Sequence, residues 1–155
     1  MTTEPEAGRP RYRTLLELLR TADTIWDASR VFFARWDLSP SQFNVLNLLH
    51  LNPEGLSQAD LSRFLIMHRS NVTGLVDRLE QRGLVARRDV VGDRRAYRVR
   101  LTAAGERLVR EILPRYYQGA ERLWGRVPDR RLAELRELLL LAAENARRIA
   151  SELRH

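Results

Sequence analysis

No cysteine and no lysine occur in this chain. The first absence excludes disulfides, thiolate redox sensing and cysteine nucleophiles. The second means that all 27 basic residues are arginine. Codon pressure in a GC-rich genome explains arginine in place of lysine, but it does not explain the net charge of +7. A guanidinium fork suits phosphates and guanine edges, so that balance favours nucleic acid or an acidic membrane surface. The arginines are spread over the whole chain rather than along one amphipathic face, which argues against the membrane. Long apolar runs are missing too. The longest, LLLLAA, falls far short of the roughly 20 residues that span a bilayer. The polar start MTTEPEAGRPRYR has no apolar signal core, which predicts a cytoplasmic protein. A grouped serine, histidine and acid, a paired-carboxylate pattern and a phosphate-cradling glycine loop are all lacking, so no enzyme is expected. Three histidines, one of them terminal, do not make a zinc-sensing set, and no cofactor is expected.

What is present is strongly amphipathic. Apolar residues fall at Leu15, Leu18, Ala22, Ile25, Phe32 and Trp36, with Leu19, Trp26 and Phe33 beside them. This 3–4 spacing predicts one long helix over 11–36, after a disordered start at 1–10. A near mirror image closes the chain, with Leu132, Leu135, Leu139, Ala142, Ala146 and Ile149 on a helix from about 128. So large an apolar load is more than a short chain buries alone. The two helices are expected to pack on each other or on a partner's copies.

Between them the punctuation is dense. Ser39 and Pro40 read as N-cap and first helical residue of a helix to Leu51, and NPEG then breaks the chain. Leu56, Ser57, Asp60 and Leu61 form a capping-box and staple pattern, predicting a short helix from Ser57 to Leu65. A turn over 66–69 leads into a helix over 69–82, closed by Gly83 at C′. Its inner face is Val72, Leu75, Val76 and Leu79. Ser70, Thr73, Gly74, Asp77 and Gln81 face away, with Asn71 and Arg78 on the flank. Next come two β-prone runs, GLVARRDVV and GDRRAYRVRLT, joined by a turn at Gly92-Asp93. Tyr97, Val99 and Leu101 point one way and Arg98 and Arg100 the other, while Asp93, Arg94 and Arg95 sit at the tip. Thr102 caps a helix over 103–126 that Pro114 can kink. A short helix, tight turn, second helix and β-hairpin make a winged helix-turn-helix. The fold class is mainly α (α+β), with about six helices and a two-stranded wing.

Asp93, Arg95, Val99, Leu101 and Thr102 fall in the order D-x-R-x-x-x-V-x-L-T, following RSNVTGLVDRLEQRGLV at 69–85. With these two linked motifs the chain resembles the MarR (multiple-antibiotic-resistance regulator) family of bacterial transcription factors, over roughly 12–153. The resemblance implies a DNA-binding lobe at 37–102 and dimerisation helices at 11–36 and 103–155. It implies a homodimer carrying twice +7, with two recognition helices ~34 Å apart on a pseudo-palindromic double-stranded DNA operator. In the recognition helix, Arg69, Ser70, Asn71 and Thr73 are the expected base contacts and Arg78 a phosphate contact. Gly74 allows close approach to DNA or is simply tolerated. His68 takes the N-cap position where relatives usually carry serine or threonine, which leaves the helix start uncertain by a residue or two. Asp77 is expected to be structural, pairing with an arginine such as Arg78 or Arg82. At the wing, Arg94 and Arg95 face a minor groove and Asp93 orients the Arg95 guanidinium.

Members of this family commonly bind small aromatic or phenolic anions, which implies a repressor relieved by such a ligand. Trp26, Arg30, Phe33 and His50 offer an aromatic wall and a cation for an effector pocket. The same residues also fit a plainer role, with Trp26 and Phe33 in the core, Arg30 in a salt bridge and His50 satisfied by the backbone. The alternative function is a helical interaction protein that keeps the fold without specific operator binding, which Gly74 and His68 leave open.

Overall fold

All six expected helices and both strands occur, in the expected order, in a computed structural model that describes residues 9–65, 71–90 and 93–154 (at 90 and 93–96, the backbone alone), while the expected disordered start, but for residues 9 and 10, and the expected turn at 66–69 lie outside the described residues. The described residues form six α-helices and one antiparallel hairpin, in two compact units, Met1–Ile112 and Leu113–His155. The first unit runs from the helix at Pro10–Phe33 to the start of the helix at Ala103–Trp124.

In the first unit, α1 (Pro10–Phe33) opens with proline at its first position. It stops three residues short of the expected end, passing into a 3-10 turn at Ala34–Trp36. The cause is the chain reversal at Asp37, which adopts a left-handed φ of 52°. Arg82 clamps that reversal by donating to the carbonyls of Asp37 and Trp36. Helix α2 (Pro40–Leu51) begins with the full capping box: Ser39 accepts from the Gln42 N–H, and the Gln42 side chain accepts from the Ser39 N–H. Helix α3 (Gln58–Phe64) is capped by Ser57, but Asp60 does not reach back to the Ser57 backbone. Its carboxylate takes the Ser57 hydroxyl instead, at 2.7 Å, because an aspartate is one methylene shorter than the glutamate of a capping box.

Helix α4 (Val72–Gln81) has Asn71 as its N-cap, whose Oδ1 accepts from the Gly74 N–H at 2.8 Å, while the expected cap at His68 and start at 69 lie outside the described residues. Its C-terminus is the predicted glycine stop. Gly83 has φ 68°, and the N–H groups of Gly83 and Leu84 return to the carbonyls of Glu80 and Leu79. Strand β1 (Val85–Val90) pairs with β2 (Asp93–Leu101) from Val85↔Leu101 to Asp89↔Tyr97. Val90 then pairs with Asp93, so three residues of β2, 94–96, form a bulge at the tip. Leu56 adds a bridge to Val99 on the other edge of β2, through two backbone hydrogen bonds of 3.0 and 2.9 Å.

Helix α5 (Ala103–Trp124) begins at Thr102, which accepts from the Gly105 N–H and donates to the Gly83 carbonyl. The helix continues through Pro114. The core of this unit gathers Phe33, Phe43, Leu46, Leu49, Leu61, Val76, Leu79, Val99 and Ile112, each nearly or fully withdrawn from solvent. Burying one such side chain is worth about 1.5–3 kcal/mol. Phe33 is the only buried residue of α1.

The second unit comprises the end of α5 and α6 (Asp129–Glu152), in which no residue is buried. Leu138, Leu140 and Leu141 are each more than half exposed on a 24-residue helix.

Candidate nucleic-acid interface

Three elements meet at the candidate surface: α3, α4 and the hairpin. The α3–α4 pair puts the first turn of α4 in solvent because its apolar stripe, Val72, Leu75, Val76 and Leu79, is buried on the opposite side. Asn71 and Thr73 are exposed there, as is Arg78 one turn on. Asn71 is committed to the cap, which takes its carboxamide oxygen away from base reading. Gly74 serves that cap: a Cβ at 74 would lie 2.7 Å from both terminal atoms of the Asn71 carboxamide. This role stands beside the close approach to DNA and the tolerance expected of Gly74. The expected contacts Arg69 and Ser70, with His68, lie outside the described residues.

Thr73 is not isolated either. Its hydroxyl oxygen accepts from Gln58 Nε2 at the start of α3. Gln58 Oε1 in turn accepts from the Tyr97 hydroxyl on β2. On the other side of Tyr97 lies Arg87 of β1, its guanidinium carbon 5.4 Å from the ring centroid. Arg87 forms ion pairs with Asp77 and Glu80, and its backbone N–H donates to Glu80 Oε1 at 3.1 Å. Asp77 therefore pairs with an arginine, as expected, and the one it meets is Arg87 rather than Arg78 or Arg82. The two expected partners lie on its own helix, whereas β1 crosses directly over Asp77. The Asp77 hydrogen bond, opposed by desolvation, raises the Arg87 pKa, so this cation stays charged at any working pH.

The wing body and wing tip differ in kind. Arg98 donates to the Gly55 carbonyl at 3.0 Å, and Arg100 pairs with Glu54 at 3.0 Å. Both arginines hold the 52–55 loop against β2. Asp93, Arg94 and Arg95 lie where β2 leaves the turn, and Arg94 and Arg95 fall in its bulge. Their side chains, and with them the expected Asp93–Arg95 contact, lie outside what the structure describes.

Among the described residues, Arg30 and His50 line two different hollows. Phe33 is a core residue, with its ring stacked on Phe43 at a centroid distance of 4.4 Å. Trp26 is half-buried. Arg30 is exposed, 3.8 Å from Asp27, and lines a hollow of about 320 Å³ with Ser39 and Gln42. His50 lines another, of about 430 Å³, with Glu106 and Arg110. Its partner is the Glu106 carboxylate at 3.0 Å rather than a backbone group. That contact, then Arg110, holds Glu106 below the usual carboxylate range. Asp60 is lowered as well, by the Ser57 hydroxyl first. Among the described residues no three His, Asp or Glu side chains are grouped to hold a metal ion, and no helix is long and apolar enough to cross a membrane.

Gln58 and Arg87 were not visible as site residues in the sequence. Gln58 lies 15 residues from Thr73 and 39 from Tyr97, beyond the reach of any helical or strand period.

The family model described as "MarR family" matches residues 36–96. The transcriptional regulator PecS of Dickeya dadantii is 28% identical over 109 residues, covering 69% of this chain and 66% of PecS. The transcriptional repressor MprA of Escherichia coli K12 is 36% identical over 69 residues, covering 44% of this chain and 39% of MprA. The match thus spans less than two thirds of the length of either curated relative. Among solved structures, BpsR of Bordetella bronchiseptica superposes with a TM-score of 0.65 at 25% identity, covering 91% of this chain and 98% of BpsR. That structure concerns the regulation of BpsR's DNA binding by 6-hydroxynicotinic acid.

Proposed function

We propose that this chain is a transcriptional regulator of the MarR family, whose model matches residues 36–96, that it is not an enzyme, and that it binds double-stranded operator DNA as a homodimer. The observation that carries the reading is the joining of α4 to the wing. The exposed first turn of α4 and strand β2 of the wing belong to one hydrogen-bonded assembly, through Thr73, Gln58 and Tyr97. In this reading Thr73 and its neighbours Arg69 and Ser70 approach base edges in the major groove, and Arg78 approaches phosphate. The tip residues Asp93, Arg94 and Arg95 enter the adjacent minor groove. A net charge of +7 per chain favours the same polyanion.

The homodimer reading rests on α6. A helix of 24 residues with none buried leaves a leucine-rich surface that a second copy would cover. The repressor role draws on the likeness to MprA, and relief by a small aromatic or phenolic anion draws on the likeness to BpsR. On this chain Trp26, Arg30 and His50 remain the candidates for that ligand, with Arg30 and His50 at two separate hollows.

The test is retention of fragmented genomic DNA from the source organism at physiological salt, followed by sequencing. Inverted repeats with half-sites about one turn apart, and a dimer by light scattering at micromolar concentration, are expected. Retention without any sequence preference, lost as salt rises, would leave only the helical interaction protein.

A further inference from the structure

The hydrogen bonds from the wing to α4 all run in one direction. The Tyr97 hydroxyl donates to Gln58 Oε1, Gln58 Nε2 donates to Thr73 Oγ1, and the Thr73 hydroxyl proton is left for whatever lies beyond the exposed face of α4. Gln58 is an amide with a donor end and an acceptor end. With Tyr97 on its oxygen, only its NH₂ group can meet Thr73, and a threonine that accepts there offers its own O–H outward. Head-to-tail bonds of this kind polarise one another and strengthen the terminal donor. Arg87 fixes the start of the chain: it lies over the Tyr97 ring and is itself held by Asp77 and Glu80 of α4. The chain is thus anchored at both ends on the same recognition helix.

We propose that Gln58 and Tyr97 are positioning residues that fix Thr73 as a hydrogen-bond donor, so that one position of each operator half-site is selected for an acceptor on the base edge. The inference rests on the DNA-binding reading above. In the major groove the acceptors are guanine N7 and O6, adenine N7 and thymine O4, whereas the cytosine N4 amino group is a donor. Cytosine on the contacted strand is therefore the base this arrangement rejects. Neither Gln58 nor Tyr97 needs to touch DNA for this. Their effect is to set the polarity of Thr73.

Four full-length variants test it: Thr73→Ala, Gln58→Glu, Tyr97→Phe and the double variant Gln58→Glu with Thr73→Ala. Each is first checked for an unchanged melting temperature, with Tyr97→Phe as the conservative change if Gln58→Glu unfolds. DNA is selected from a randomised pool by each protein, and the winners are ranked by competition anisotropy at fixed salt. A carboxylate at 58 cannot donate, so Thr73 must turn its proton inward and present a lone pair to the groove. The wild type should then select an acceptor at one position per half-site and Gln58→Glu should admit cytosine there. Tyr97→Phe should weaken the preference, and affinity for random DNA should be preserved throughout. In the double variant Gln58→Glu should add nothing to Thr73→Ala. Additive losses, or equal losses on selected and random DNA, overturn the relay while leaving the regulator reading intact. No selected sequence with the wild type overturns both.

Discussion

His50 Nδ1 lies 3.0 Å from Glu106 Oε2, a pair 56 residues apart that fastens α2 to the first turns of α5. Both groups are partly buried, and Arg110 reaches the other Glu106 oxygen at 2.6 Å. The folded carboxyl is thereby held below its ordinary value of 4.5, chiefly by His50 and then by Arg110. A depressed carboxylate contributes stability that is fully present above the unfolded value and is lost as pH falls through the folded one. Melting temperature should therefore decline as the solution is acidified below about pH 4.5, and Glu106→Gln should flatten that part of the profile. Thermal melts of both proteins across this range check it. Parallel curves would show that Glu106 does not contribute to the acid limb.

Gly105 packs directly on the backbone at the end of α4. A Cβ there would sit 2.0 Å from the Leu84 carbonyl oxygen, which itself accepts from the Thr102 N–H. Neither the carbonyl nor the helix start can yield without breaking the Thr102 cap. Gly105→Ala should cost about 3 kcal/mol by overpacking, measured by urea denaturation. Gly119, with nothing within 4 Å of an added Cβ, is the control. Alanine there should be neutral or stabilising by a few tenths to about 1 kcal/mol.

Arg87 joins β1 to two carboxylates of α4 with only about a quarter of its side chain exposed (24%). Arg87→Ala leaves Asp77 and Glu80 facing each other without a cation. A loss of about 1–3 kcal/mol is expected, between the values of exposed and fully buried pairs. Arg88, its exposed neighbour, has no such partner among the described residues, and Arg88→Ala should change stability little. Denaturation midpoints of the two variants decide the point. Equal midpoints would mean that the ion pairs contribute nothing net.

At the wing, Arg95→Ala should weaken operator binding more than Arg98→Ala or Arg100→Ala, although all three remove one charge. Arg98 and Arg100 are already engaged with Gly55 and Glu54, whereas Arg95 lies in the bulge at the tip. A narrow A/T-rich minor groove concentrates negative potential, so the Arg95→Ala loss should shrink when flanking A/T pairs are replaced by G/C. Fluorescence anisotropy on both flanks at fixed salt reads the ranking. Three equal losses would reduce the wing to a diffuse positive surface.

The sequence by itself determined the elements and their punctuation. The caps at Ser39, Ser57 and Thr102 and the stop at Gly83 are local devices, satisfied by atoms within a few residues, so residue type and spacing were enough to read them. The same holds for the alternation of Tyr97, Val99 and Leu101, since a strand has only two faces. At the start of α4 the structure uses Asn71 as a cap, with the space that Gly74 leaves, a device that spacing alone did not single out. Partners were a different matter. Asp77 with Arg87, His50 with Glu106, Tyr97 with Gln58 and Arg98 with Gly55 are separated by 10 to 56 residues along the chain. Periodicity says which face a side chain occupies but not which other face it will meet. That was decided only when β1 came to lie along α4 and the 52–55 loop bridged to β2, since packing of the whole unit sets those crossings.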